Sequence, residues 1–124
     1  MANILIVDDE KLIGKALIEI VEKEGHAAQY AKDGKEALQV INKQLPDMVI
    51  TDLIMPETEG LELIKELRKL STQIKIIAIS GGSRYFKPDS QLTAARLIGA
   101  DVCLTKPLDL PELISSVRTL LNAG

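Results

Sequence analysis

Tryptophan is missing from this chain, and the other aromatics amount to two tyrosines and one phenylalanine in 124 residues. Any core must therefore be aliphatic, built from Ile, Leu, Val and Ala. A single cysteine excludes an internal disulfide, which suits a reducing compartment. No apolar run approaches the ~20 residues of a membrane span. The first residues lead straight into Ile4-Leu5-Ile6-Val7, without the basic lead and small-residue cleavage site of a signal peptide. A cytoplasmic protein without membrane insertion is expected. Basic excess is missing as well: the net charge is −3 and no Lys/Arg run occurs, which argues against direct contact with nucleic acid or an anionic membrane.

What remains is an ordinary balance, 46% hydrophobic and 27% charged, enough for one domain with a core that needs no staples. One domain over residues 1–124 is expected, with no repeat, linker or output domain.

The stretch from Asp47 to Pro56 organises the rest. Met48-Val49-Ile50 is a short apolar run that ends at Thr51-Asp52, with Pro46 before it and Pro56 after it to discourage helix. It reads as a buried strand with Asp52 at its carboxyl end. Ile4 to Val7 is a second such run, with little alternation, as in a parallel strand covered on both faces. It ends in Asp8-Asp9-Glu10.

Between and beyond these runs the periodicity switches. Residues 10–24 place Ile13, Leu17, Ile20 and Val21 on one helical face, with Ala16 adjoining, and Gly25 stops the helix. His26 to Ala31 is a weaker strand, with Ala28 and Tyr30 on one side and His26 as a surface turn residue. Asp33 or Gly34 opens a second helix carrying Ala37, Leu38, Ile41 and Leu45 inward. Thr58 is a candidate N-cap for a third, carrying Leu61, Ile64 and Leu67. Ile74 to Ile79 is a strand ending on Ser80, followed by a loop from Gly81 to Pro88. A fourth helix starts near Asp89 or Ser90 and ends at Gly99. Val102 to Thr105 is the fifth strand, then Lys106-Pro107. Asp109 and Glu112 have capping-box spacing for a last helix whose buried face is Leu113, Ile114, Val117, Leu120 and Leu121.

Strands alternating with helices imply right-handed crossovers and a doubly wound five-stranded parallel sheet in the α/β class. The expected order is 2-1-3-4-5, which sets the ends of strands 1 and 3 side by side at the switch point. Asp8, Asp9 and Asp52 then meet. Clustered carboxylates repel, so either their pKa values rise or a cation neutralises them. Mg²⁺ is the natural guest, being hard and accustomed to one or two carboxylates with phosphate oxygens. Lys106 and Ser80 end strands on the same rim and can hold phosphoryl oxygens. A carboxylate there can accept a phosphoryl group as an aspartyl phosphate. Each residue has a bland reading as cap or solvated surface group; together they favour phosphoryl chemistry.

At this point the chain resembles the receiver domains of two-component response regulators. The matching pieces are Ile-Val-Asp8-Asp9-Glu, Thr-Asp52-Leu-Ile-Met-Pro56-Glu-Thr-Glu-Gly60, Ile-Ser80-Gly and Gly99-Ala-Asp-Val-Cys-Leu-Thr-Lys106-Pro107, spread over the whole chain. The resemblance implies a flavodoxin-like (CheY-like) fold. It implies that Asp52 accepts a phosphoryl group from a sensor histidine kinase or phosphotransfer protein, and that the domain assists its own phosphorylation and dephosphorylation without being an enzyme of the usual kind. Asp9 and Asp52 would ligate Mg²⁺ with the Ile54 carbonyl, Asp8 helping through water. Ser80 would be the switch hydroxyl and Lys106 the counter-ion, joined to Pro107 by a cis peptide. The partners implied are the kinase and a downstream effector, with the chain a monomer or weak dimer. Three departures stand out. Cys103 replaces the Tyr or Phe usual three residues before the lysine, Leu108 replaces a frequent Phe, and the stretch from Ser80 to Gly99 is longer than usual. The long 81–88 loop, with Tyr85 and Phe86, and the helix after it are expected to carry the output. Competing expectations are a haloacid-dehalogenase-like phosphatase, which would want Asp-x-Asp on the first strand, a flavodoxin, an interaction module that is never phosphorylated, and a phosphate sink or relay without its own effector.

Overall fold

The computed structural model describes residues 1–53, 59–80, 95–96 and 98–122. Thr58, the 81–88 loop, the start of the fourth helix and the Ile54 carbonyl lie outside the described residues. Five strands form one parallel sheet: β1 (Asn3–Val7), β2 (Ala27–Ala31), β3 (Met48–Asp52), β4 (Lys75–Ser80) and β5 (Val102–Thr105). Their order is β2-β1-β3-β4-β5. Four helices are fully described: α1 (Lys11–Lys23), α2 (Gly34–Lys43), α3 (Glu59–Leu70) and α4 (Leu110–Asn122). Ala95, Arg96 and Ile98 are helical as well, just before Gly99.

Why the strands read as unbroken apolar runs is plain from the two cores. Alternate strand residues point to opposite faces. Ile4, Ile6, Met48, Ile50, Ile77, Ile79 and Leu104 pack with Leu17 and Val21 of α1 and with Leu113 and Val117 of α4. Leu5, Val7, Val49, Ile76 and Ala78 pack the other way, against Ala37 and Ile41 of α2, Leu63, Ile64 and Leu67 of α3, and Ala95. The sheet is thus covered on both faces, and β3 at its centre is buried at all five positions.

Helix ends follow the sequence signals. Gly25 and Gly99 take positive φ, 90° and 123°, and each lets the next N–H reach back five residues: His26 N–H to the Val21 carbonyl and Ala100 N–H to that of Ala95. Asp33 accepts from Glu36 N–H at 2.9 Å and Asp109 from Glu112 N–H at 3.2 Å, both as N-caps.

Some details differ from expectation. Ala16 is exposed, and the buried line of α1 runs through Gly14, Leu17 and Val21. Leu45 is exposed because α2 ends at Lys43 and Gln44 is already extended, so helical spacing no longer applies to it. Leu63, which the Leu61-Ile64-Leu67 line leaves out, is fully buried. His26 is half-buried and helps to hold the sheet together. Its Nδ1 accepts from Ala2 N–H at 3.1 Å, fastening the start of β1 to that of β2.

Candidate functional site

The switch point lies between β1 and β3, and register determines what meets there. Val7 pairs with Thr51, so the next residues, Asp8 and Asp52, sit side by side at the carboxyl ends of their strands. Ser80 pairs with Thr105, and Lys106 N–H donates to the Ser80 carbonyl at 2.9 Å. The residues expected on one rim are therefore on it. Asp8, Asp52 and Ser80 are all buried, while Asp9 and Glu10 are exposed.

Lys106 joins the two buried acids. Its Nζ is 2.9 Å from Asp52 Oδ2 and 3.8 Å from Asp8 Oδ2. Burial works against the ammonium charge, but the hydrogen bond to Asp52 and the charges of Asp52, Asp8 and Glu10 outweigh it and hold its pKa above the ordinary lysine value. The peptide between Lys106 and Pro107 is cis, as the resemblance implied.

Asp8 is the strained member. Its Oδ1 accepts from Glu10 N–H at 2.8 Å. Its Oδ2 is buried and accepts no hydrogen bond among the described residues. Its pKa is pushed up to about 6, first by burial and further by the charges of Asp52 and Asp9, although Glu10 N–H and Lys106 pull the other way. One carboxylate oxygen each from Asp8, Asp9 and Glu10 lies within 4.8 Å of the others. A buried, unsatisfied carboxylate oxygen beside two solvent-facing acids fits a hard divalent cation, which takes oxygen ligands and keeps waters on its open side.

Two residues of the site are not singled out by the sequence pattern. Glu10 belongs to the acid run, but strand-end reasoning gives a ligand role only to Asp8 and Asp9; its place one step beyond Asp9 is the available signal. Tyr30, in β2, donates its hydroxyl to the Asp8 backbone carbonyl at 2.5 Å, and nothing in the local sequence marks it. Cys103 is half-buried in β5, paired with Ala78 and packed against the α2–α3 core. Burial pushes its thiol pKa up, while Arg96 pulls it down.

The model of the response regulator receiver domain family matches residues 4–118. Response regulator MprA of Mycolicibacterium vanbaalenii is 34% identical over 120 residues, covering 97% of this chain and 50% of its own length. The receiver domain of Francisella response regulator 1452 is 32% identical with a TM-score of 0.85, covering 99% of this chain and 98% of that one. A CheY-like receiver domain protein from Methanospirillum hungatei is 27% identical with a TM-score of 0.88, covering 99% and 95%. The chain spans about half the length of the curated relatives it matches. Among the described residues no helix is long and apolar enough to cross a membrane.

Proposed function

The chain belongs to the response regulator receiver domain family of two-component signalling, and we propose that within it Asp52 is the phosphoryl acceptor. The observation that carries this is a buried carboxylate at the end of the central strand, beside Asp8 and 2.9 Å from the Lys106 ammonium. The donor is a phosphohistidine on a sensor kinase or phosphotransfer protein. A carboxylate oxygen of Asp52 forms the new P–O bond as the P–N bond breaks, and the leaving imidazole takes up a proton. Lys106 follows the negative charge from the carboxylate to the phosphoryl oxygens as a point charge. Ser80, at the end of the neighbouring strand, offers its hydroxyl to another of those oxygens.

Mg²⁺ would be held by Asp8, Asp9 and Asp52, with Glu10 within reach and the Ile54 carbonyl as a further oxygen donor. When bound it supplies positive charge that offsets the acids and the incoming phosphoryl group. Lys106 brings one positive charge to Asp8 and Asp52, which is less than the ionised acids of the cluster carry.

The assignment is tested by labelling with a small phosphodonor and Mg²⁺. One phosphoryl group should be taken up by the wild type and lost in Asp52→Asn and after chelation, while Lys106→Ala should keep its fold but respond weakly. Undiminished labelling of Asp52→Asn would remove the assignment.

The output in this reading leaves through Ser80 and the residues after it, 81 to 98, to an effector protein in the cytoplasm. Support comes from β4, which ends at Ser80, and from Cys103, which is too small to stand in for the Tyr or Phe usual at its place. A two-state equilibrium biased at Ser80 is the least mechanism that suffices. Hydrogen exchange over residues 81–98 should change with a phosphoryl mimic; a change confined to another face would place the output elsewhere.

A further inference from the structure

The side chain of Asp8 is a candidate ligand, and its main chain is hydrogen-bonded through both its N–H and its carbonyl. Asp8 N–H donates to the Ala31 carbonyl at 3.2 Å, and the Asp8 carbonyl accepts from the Tyr30 hydroxyl. These partners are the last two residues of β2. The Asp8 carbonyl and the Asp9 N–H share one rigid peptide plane. A hydrogen bond to that carbonyl therefore fixes the plane from which both carboxylates depart, the buried one and the exposed one.

The phenol is built into place. Its ring lies over Gly14 of α1, and a Cβ at Gly14 would overlap the ring carbons. Helix α1 thus carries a glycine where its buried face meets Tyr30, although glycine costs helix stability. A phenol keeps its proton at neutral pH, so the group is an O–H donor to the Asp8 carbonyl.

We propose that Tyr30 is a positioning residue for the acid pair: its hydroxyl, seated by Gly14, locks the Asp8–Asp9 peptide and so sets the spacing of the two carboxylates offered to a divalent cation. This rests on the reading of Asp8 and Asp9 as cation ligands. The physical consequence concerns selectivity as well as affinity. Mg²⁺ demands near-ideal octahedral geometry at short distances, whereas Ca²⁺ accepts variable and longer ones. A locked pair of acids favours the stricter ion, and a loosened pair loses that preference.

The experiment is calorimetric titration of the whole chain with Mg²⁺ and, separately, Ca²⁺, comparing wild type with Tyr30→Phe, which keeps the ring over Gly14 and removes only the hydroxyl. Mg²⁺ affinity should fall by about tenfold, the low end of the cost of losing an outer hydrogen-bond partner, and Ca²⁺ affinity by less than roughly threefold. A purely structural role would weaken both ions alike or neither. Gly14→Ala, which leaves the hydroxyl but crowds the ring, provides a second route to the same change in the Mg²⁺/Ca²⁺ ratio. An unaltered ratio in Tyr30→Phe, with normal Mg²⁺ binding in the wild type, overturns the inference and leaves the acid-site reading standing. Absence of Mg²⁺ binding in the wild type overturns both.

Discussion

Asp8 carries a charge that the fold penalises. Its folded-state pKa of about 6 lies above the ordinary 3.8, chiefly through burial, so the native state favours the protonated acid. With the native state holding more protons between those values, stability falls as pH rises through that window and the full penalty is present above it. In chelator, Asp8→Asn should therefore melt higher than the wild type at pH 7.5, and the gap should close near pH 4. Mg²⁺ should raise the melting temperature of the wild type at pH 7.5 far more than that of the variant. An equal gap at both pH values would show that Asp8 is not strained in the fold. At this scale the sequence is informative where a residue ends a strand: the strand ends at Asp8, Asp52, Ser80 and Thr105-Lys106 are readable as breaks in apolar runs. It is silent on Tyr30, because a hydroxyl reaching a carbonyl 22 residues away leaves no local spacing to detect.

Helix α3 meets the end of β3 without a side chain between them. A Cβ at Gly60 would lie 2.5 Å from the Asp52 carbonyl oxygen and 2.6 Å from Leu53 Cα. Both are backbone atoms, so they cannot swing aside as a long side chain would. Gly60→Ala must push α3 away or shift the residue that carries the candidate phosphoacceptor. The expected cost is about 1–3 kcal/mol, typical of an overpacked interior, with phosphodonor labelling reduced in the protein that remains folded. Wild-type melting and labelling in Gly60→Ala would mean that α3 can retreat freely. The elements themselves are largely legible because parallel strands covered on both faces need runs of apolar residues, while the helices between them show a repeat near 3.6. Helix boundaries are clearest where a cap residue supplies the signal, at Asp33, Gly25, Gly99 and Asp109. Where the stop is a plain extended residue, as at Gln44, helical spacing overruns the true end and points Leu45 inward.

The two ends of the sheet do different work. At the carboxyl end are the acids, Lys106 and Ser80. At the amino end of β4 and β5 lies a network centred on Arg68 of α3. Its guanidinium donates to the Gly99 carbonyl at 2.9 Å, the Ile74 carbonyl at 2.6 Å and Asp101 Oδ2 at 2.9 Å. Asp101 Oδ2 also accepts from Ile76 N–H at 2.7 Å. One side chain thus ties α3 to the start of β4, to the helix stop at Gly99 and to the turn into β5. The Arg68–Asp101 ion pair is partly exposed and contributes little by itself; the weight falls on the Gly99, Ile74 and Ser71 carbonyls, which lose their charged donor if Arg68 is removed. Arg68→Ala should cost about 1–3 kcal/mol, read as an earlier denaturation midpoint. Because the acid site is built from residues at the opposite strand ends, Mg²⁺ affinity of the folded variant should stay within about twofold of wild type, less than the loss expected for an outer hydrogen-bond partner of the metal. Unchanged stability with lost Mg²⁺ binding would reverse the assignment of roles to the two ends. Loss of both in the folded protein would mean that the sheet transmits strain from its amino end to its carboxyl end, and that the Gly99 stop is part of the switch.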